Sequence, residues 1–273
     1  MKQPWLACGM ILLMTFTSAC GTSTESGTEN GTESAASPEN GTASPETGTD
    51  SPESNGSEAP ECDTGGAIVD YISFLKINDI MYEEFYREGT SGPYPDFETG
   101  EKVGEITFRL AECAPPEYRS QNGDAAYLYA GTAIHEVKGY PSELMVEANG
   151  NLYIAHRNEN AETVADLYPV EGKVKDLHLQ STGDGSRMNT FSEENKEAFL
   201  DELLNQELID LETLWEGDGL NGDRAFIELE LDNGASFRLV YWVDESAFSF
   251  GAYGTDRIAE IIQEERERAA EQE

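Results

Sequence analysis

"RAFIELELDNGASFRLVYWV" (residues 224–243) is the stretch on which the fold turns. Ala225, Ile227, Leu229 and Leu231 recur at every second position, which puts one apolar row on one face of a strand. Phe237, Leu239, Tyr241 and Val243 repeat the pattern on the way back. Asp232, Asn233 and Gly234 stand between the two runs and are the residue types that a tight hairpin turn demands. The segment therefore reads as an antiparallel pair with one face turned to a core.

The segments on either side extend this pair into a layer. AFSFGAYG (247–254) is expected to add a third strand, and GKVKDLHLQS (172–181) another. SEENKEAFLDELLNQ (192–206) is the clearest helix. Ser192 is placed to cap it, Glu193 and Glu194 suit the positive end of its dipole, and Phe199, Leu200, Leu203 and Leu204 form one stripe. TDRIAEIIQEERERAAEQE (255–273) closes as a helix built on Ile258, Ile261 and Ile262, with its last two charged turns expected to fray. The order β-α-β-β-β-α predicts an α+β fold, with helices packed on one face of a mostly antiparallel sheet.

The preceding half is β-rich. Residues 67–77 and 80–86 read as strands. VGEITFRL (103–110) is expected to be one half-buried strand with Ile106, Phe108 and Leu110 on its inner face. AAYLYA (125–130), TAIHEVKGY (132–140), ELMVEA (143–148) and NLYIAHR (151–157) are further strands, with "NGN" (149–151) as the hairpin turn between the last two. Residues 61–273 thus form the globular body, divisible into portions of about 61–170 and 171–273.

Residues 1–60 differ in kind. Lys2 precedes an apolar run, Leu6 to Phe16, that is too short to span a bilayer comfortably. Thr17, Ser18, Ala19 and Cys20 follow. Residues 1–19 read as a secretory signal. The small pair before Cys20 resembles the lipobox of bacterial lipoproteins, although Thr17 stands where leucine is usual. That resemblance implies a diacylglyceryl group on the Cys20 thiol, cleavage before it, and a lipid anchor at the extracytoplasmic face of the cell membrane. Residues 21–60 contain no Lys, Arg, aromatic, Leu, Ile, Val or Met. Such a stretch cannot offset the entropy of ordering, so residues 20–60 are expected to form a disordered tether.

The pattern DYISFLKINDIMYEEF, GEKVGEITFRLAE and GDAAYLYAGTAIHEVKGY resembles a group of uncharacterised lipoproteins of Bacillus-type Gram-positive bacteria. The likeness implies the same location and carries no catalytic residues.

A formal net charge of -37 argues against a nucleic-acid partner, because no basic patch exists to displace counterions from phosphates. Four cysteines are present. Cys8 leaves with the signal and Cys20 takes the lipid, which leaves Cys62 and Cys113 as an even pair in an oxidising compartment. They are expected to form a disulfide, contributing about 4 kcal/mol in the chain-entropy model. Free thiols or a metal pair are the alternatives.

No motif carries a reaction. His135, His156 and His178 all lie in strand-like stretches, and "HEVKG" lacks the second histidine of a metalloprotease helix. There is no nucleophile elbow and no phosphate-binding loop. EGDGLNGDR (216–224) offers Glu216, Asp218, Asn221 and Asp223 as oxygen ligands for calcium, in a register that departs from an EF-hand, and its other reading is a solvated loop. Tyr94 and Phe97 stand in a loop, where they either pack onto the sheet or contact a partner. No other cofactor is expected. These readings converge on a lipid-anchored binding or interaction module, with no activity implied. An envelope hydrolase with a dispersed site and a calcium- or solute-binding lipoprotein are the alternatives.

Overall fold

The computed structural model describes residues 72–86, 94–114, 118–215 and 220–271. The signal segment, Cys20, the tether, Cys62, Glu216 and Asp218 lie outside the described residues. Cys113 is described only as the last residue of a short helix, so the expected disulfide also falls outside them.

The first half runs β1 (Phe74–Ile77), β2 (Ile80–Glu84), β3 (Thr99–Glu105), β4 (Phe108–Arg109), α1 (Leu110–Cys113), β5 (Asp124–Ala125), β6 (Ala133–Val137), β7 (Met145–Ala148), β8 (Asn151–Asn158) and α2 (Val164–Leu167). The second runs β9 (Val174–Gln180), β10 (Arg187–Thr190), α3 (Glu193–Leu204), α4 (Leu211–Leu214), β11 (Arg224–Leu231), β12 (Ser236–Trp242), β13 (Ala247–Phe248), β14 (Ala252–Tyr253) and α5 (Asp256–Ala270). The fold is α+β, as the hairpin and its neighbours predict. Among the described residues the strands form two sheets, and every pair is antiparallel except β4 with β5.

The first sheet has the order β3-β6-β7-β8-β2-β1-β5-β4. Its two edge strands, β3 and β4, are consecutive in the chain, so the sheet curls until its edges meet. The link is Ile106–Thr107. Ile106 N–H donates to Thr132 O on the β6 side, while Thr107 N–H donates to Gly123 O just before β5. This corrects the expectation of one strand over 103–110. The chain breaks at Ile106 to cross between edges, and Leu110 already begins a helix. Ile106 fills the curled interior with Leu75, Tyr82, Ile134, Val146 and Tyr153. A Cβ on Gly104 would lie 3.3 Å from Ile77 Cγ2, so this close approach of β3 to β1 favours a residue without a side chain. AAYLYA also departs from expectation: its strand ends at Ala125, and Tyr129 leaves the sheet to lie under the Arg109 guanidinium, 4.2 Å from its ring centre.

The second sheet has the order β10-β9-β11-β12-β13-β14. Ile227 pairs with Leu179 and Leu239, and Leu229 with Leu177 and Phe237, so the alternating rows of three strands coincide on one face. Phe199 and Leu203 of α3 and Ile258, Ile261 and Ile262 of α5 cover that face. Met145, Leu152 and Ile154 of the first sheet join the same cluster, so one continuous core spans both halves of the body. The expected third strand at AFSFGAYG is a small hairpin, β13 to β14. The expected fraying of α5 is overturned. The helix continues to Ala270 because Ala269 and Glu265 are both buried.

Candidate functional site

Strand alternation that turns Leu177, Leu179, Ile227, Leu229 and Leu239 inward turns their neighbours to the opposite face. There β9 presents Asp176, His178 and Gln180, β11 presents Glu228 and Glu230, and β12 presents Ser236 and Arg238. Glu228 sits directly opposite His178 on one side and Arg238 on the other.

These groups satisfy one another. Arg187 of β10 grips Glu228 through Nε at 2.7 Å and Nη2 at 2.9 Å. Its Nη2 also lies 2.7 Å from Glu230 Oε2. Ser236 Oγ donates to Glu228 at 2.7 Å, and Gln180 Nε2 donates to it at 3.0 Å. Arg238 Nε in turn donates to Gln180 Oε1 at 2.7 Å. Lys175 Nζ reaches Glu230 Oε1 at 2.7 Å. His178 bridges Glu230 at 3.0 Å and Thr190 Oγ1 at 2.9 Å through its two ring nitrogens.

Burial pushes both carboxyls up, but the donors around them prevail. The Glu228 carboxyl is held below its ordinary value by Arg187 and Ser236. Glu230 is brought down to about 2 by Lys175, His178 and Arg187. Both carboxyls therefore stay charged near neutral pH.

Asp176, His178 and Glu230 bring one ligand atom each within 4.8 Å of one another, close enough to hold a metal ion. Glu230 already carries two cations, Lys175 on one oxygen and Arg187 on the other. A metal ion would have to displace or bear the repulsion of both, which makes the group a weak candidate. The sequence offered no sign of it, because the three residues come from two strands that only the sheet register brings together.

The larger feature is a cleft of about 510 Å³ between the sheets. One wall comes from β2, its continuation and β8, with Glu83, Glu84, Phe85, Tyr86 and His156. The other comes from the second sheet, with Gln180, Glu228, Ser236 and Arg238. Tyr168 and Phe237 also line it, stacked at 4.8 Å between ring centres, and Phe250 meets Tyr168 edge-on at 5.4 Å. Burial and the adjacent Glu83 charge push the Tyr168 phenol up. Glu83 lies 3.5 Å from His156 Nε2, and Glu84 accepts from Ser73 Oγ at 2.5 Å and from Tyr86 OH at 2.8 Å.

The residues singled out from sequence fall elsewhere. Tyr94 accepts the Leu152 N–H at 2.7 Å and stands edge-on to Phe85 at 5.6 Å. Phe97 packs partly buried against the main core, and lines a separate hollow of about 450 Å³ with Lys138, Tyr140 and Asn233. Asp223 is engaged by Arg266 of α5, at 2.5 Å from Nη1 and 3.3 Å from Nη2. Asn221 N–H lies 3.5 Å from Glu245 Oε1. Among the described residues, the one grouping with metal-ligand spacing includes neither Asn221 nor Asp223. No described helix is long and apolar enough to cross a membrane. Comparison with protein families, curated proteins and solved structures finds no match for the chain.

Proposed function

We propose that this chain is a lipid-anchored extracytoplasmic binding module, tethered through Cys20 and offering the cleft between its two sheets as the binding surface. The observation that carries the binding reading is that cleft. At about 510 Å³ it falls in the size range of small-molecule sites, and it combines stacked rings with a few convergent polar groups. Glu228, clamped by Arg187, stands in the second wall as a fixed hydrogen-bond acceptor rather than a proton donor. The anchor rests on the order of apolar run, small pair and cysteine at the front of the sequence.

Two experiments test the two parts. Expressed in a Gram-positive host, the wild-type chain should incorporate labelled palmitate and partition with membranes, and C20S should do neither. An unlabelled, soluble wild type would end the anchor reading. For the cleft, Ser249→Trp puts a large ring into its lining. Native mass spectrometry after exposure to an envelope extract should show a retained small molecule on wild type and its loss on this variant. Equal retention by both would move the binding surface elsewhere.

A second reading is cation binding. Calcium at residues 216–223 would use Asn221 with two residues outside the described set, and Asp223 would have to leave Arg266. At Asp176, His178 and Glu230 the imidazole suits a transition ion better than calcium. Melting curves with calcium and with zinc, at matched ionic strength, separate these from each other and from the cleft.

A further inference from the structure

We propose that the ligand of the cleft is an organic cation, a small molecule bearing an ammonium group beside apolar carbon. This rests on the reading of the cleft as the binding surface and names the chemistry it accepts.

The two walls of the cleft differ in how their carboxylates are compensated. Glu228 in the second wall is neutralised by Arg187. In the first wall the situation differs. Among the described residues, Glu84 is met by the hydroxyls of Ser73 and Tyr86, and Glu83 by the His156 ring, with no lysine or arginine on either. Arg238 in the opposite wall is held through Gln180 and adds one positive charge to the lining, while these two carboxylates of the first wall have, among the described residues, no lysine or arginine paired with them. The formal charge of the whole chain, -37, adds a long-range field of the same sign that draws cations in and repels anions.

The surroundings decide which kind of cation. Phe85, Tyr86 and Tyr168 line the cleft with these carboxylates, and of the three Tyr86 is the exposed ring. Ring faces attract a positive group, and they do so best when it is weakly hydrated. A hard metal ion instead requires six or more oxygens in a closed shell, which two carboxylates among aromatic rings do not supply. A substituted ammonium gives up little hydration, meets the carboxylates by charge and lays its methyl or methylene groups on the rings. Phe237 and Val240, which also line the cleft, add apolar surface for the rest of such a molecule.

The test uses the full chain and three probes: choline, benzyltrimethylammonium, and 3,3-dimethylbutan-1-ol, in which carbon replaces the charged nitrogen of choline. Binding is read by calorimetry and by the ring resonances of His156, one of only three histidines. Both cations should bind saturably and shift His156, and should do so about tenfold or more tighter than the neutral isostere. Added salt should weaken them, and Glu83→Gln should cost about tenfold while leaving the melting temperature near that of wild type. If the isostere shifts His156 at the same concentrations, the cleft binds without selecting charge; the cation proposal falls and the cleft reading stands. If no probe shifts His156, the cation proposal falls. The Ser249→Trp comparison then decides separately whether the cleft binds anything.

Discussion

Glu265 of α5 accepts a hydrogen bond from Asn195 Nδ2, near the start of α3, at 2.8 Å, in a site where the glutamate has no exposed surface at all. The same carboxylate takes the Ser192 N–H at 3.1 Å and Asn189 Nδ2 at 2.7 Å, and Arg268 pairs with it from the next turn of α5. One side chain thus joins the C-terminal helix to the N-terminal end of α3 and to β10. Removing it strands two buried amide donors, of Asn189 and Asn195, and the half-buried Ser192 N–H. Glu265→Ala should cost about 3 kcal/mol in urea denaturation, with Glu265→Gln costing less because one acceptor survives. A loss within about 0.5 kcal/mol of zero would mean that the helices are docked by their apolar faces alone.

Stability should fall with acid through Glu230. Its folded value of about 2 lies below the ordinary 4.5. A depressed carboxyl contributes stability that is fully present above the ordinary value and is lost as pH falls towards the folded one. The urea midpoint should therefore decline from about pH 4.5 down to about pH 2, with Glu228 and Asp223 shifted in the same direction. Arg187→Met should flatten that decline, because Arg187 supports both Glu228 and Glu230. An unchanged slope in the variant would remove Arg187 from the account.

Gly251, in the turn between β13 and β14, has φ +105°, and a Cβ there would sit 2.7 Å from the Ile209 carbonyl oxygen. Its own carbonyl accepts the Ile209 N–H at 2.8 Å, so the two backbones are drawn together. Gly251→Ala meets both an unfavourable backbone angle and a clash, and should destabilise by about 2 kcal/mol. Equal melting temperatures for variant and wild type would show that the turn yields at little cost.

Asp223 and Arg266 form an ion pair on an exposed surface, with the Asp223 side chain 58% accessible. A double-mutant cycle with Asp223→Asn and Arg266→Gln should give a coupling of about 0.5 kcal/mol. Any calcium-induced rise in melting temperature should be the same for Asp223→Asn as for wild type, since Arg266 already occupies the carboxylate. A calcium effect that disappears in Asp223→Asn would make that residue a ligand after all.

Periodicity carried most of the second sheet. The alternation in 224–243, the Ser192 cap and the Phe199–Leu203 stripe are local patterns, and each appears in the structure where the residues place it. The Asn149–Gly150 turn behaves likewise, with both residues at positive φ. Neither the closure of the first sheet nor the cleft could be read this way. Both depend on register between distant strands. Ile106 looks like any inward strand residue until Thr132 and Gly123 claim the backbone on either side of it. Glu265 looks like one more charge on a fraying end until Asn189, Ser192 and Asn195 converge on it from 70 or more positions away. Glu83 and His156 approach only because β2 and β8 lie side by side. Side-chain period follows from the backbone geometry of a single strand or helix. Which polar groups meet follows from how strands align, and that alignment is settled by the shared burial of apolar rows far apart in the chain.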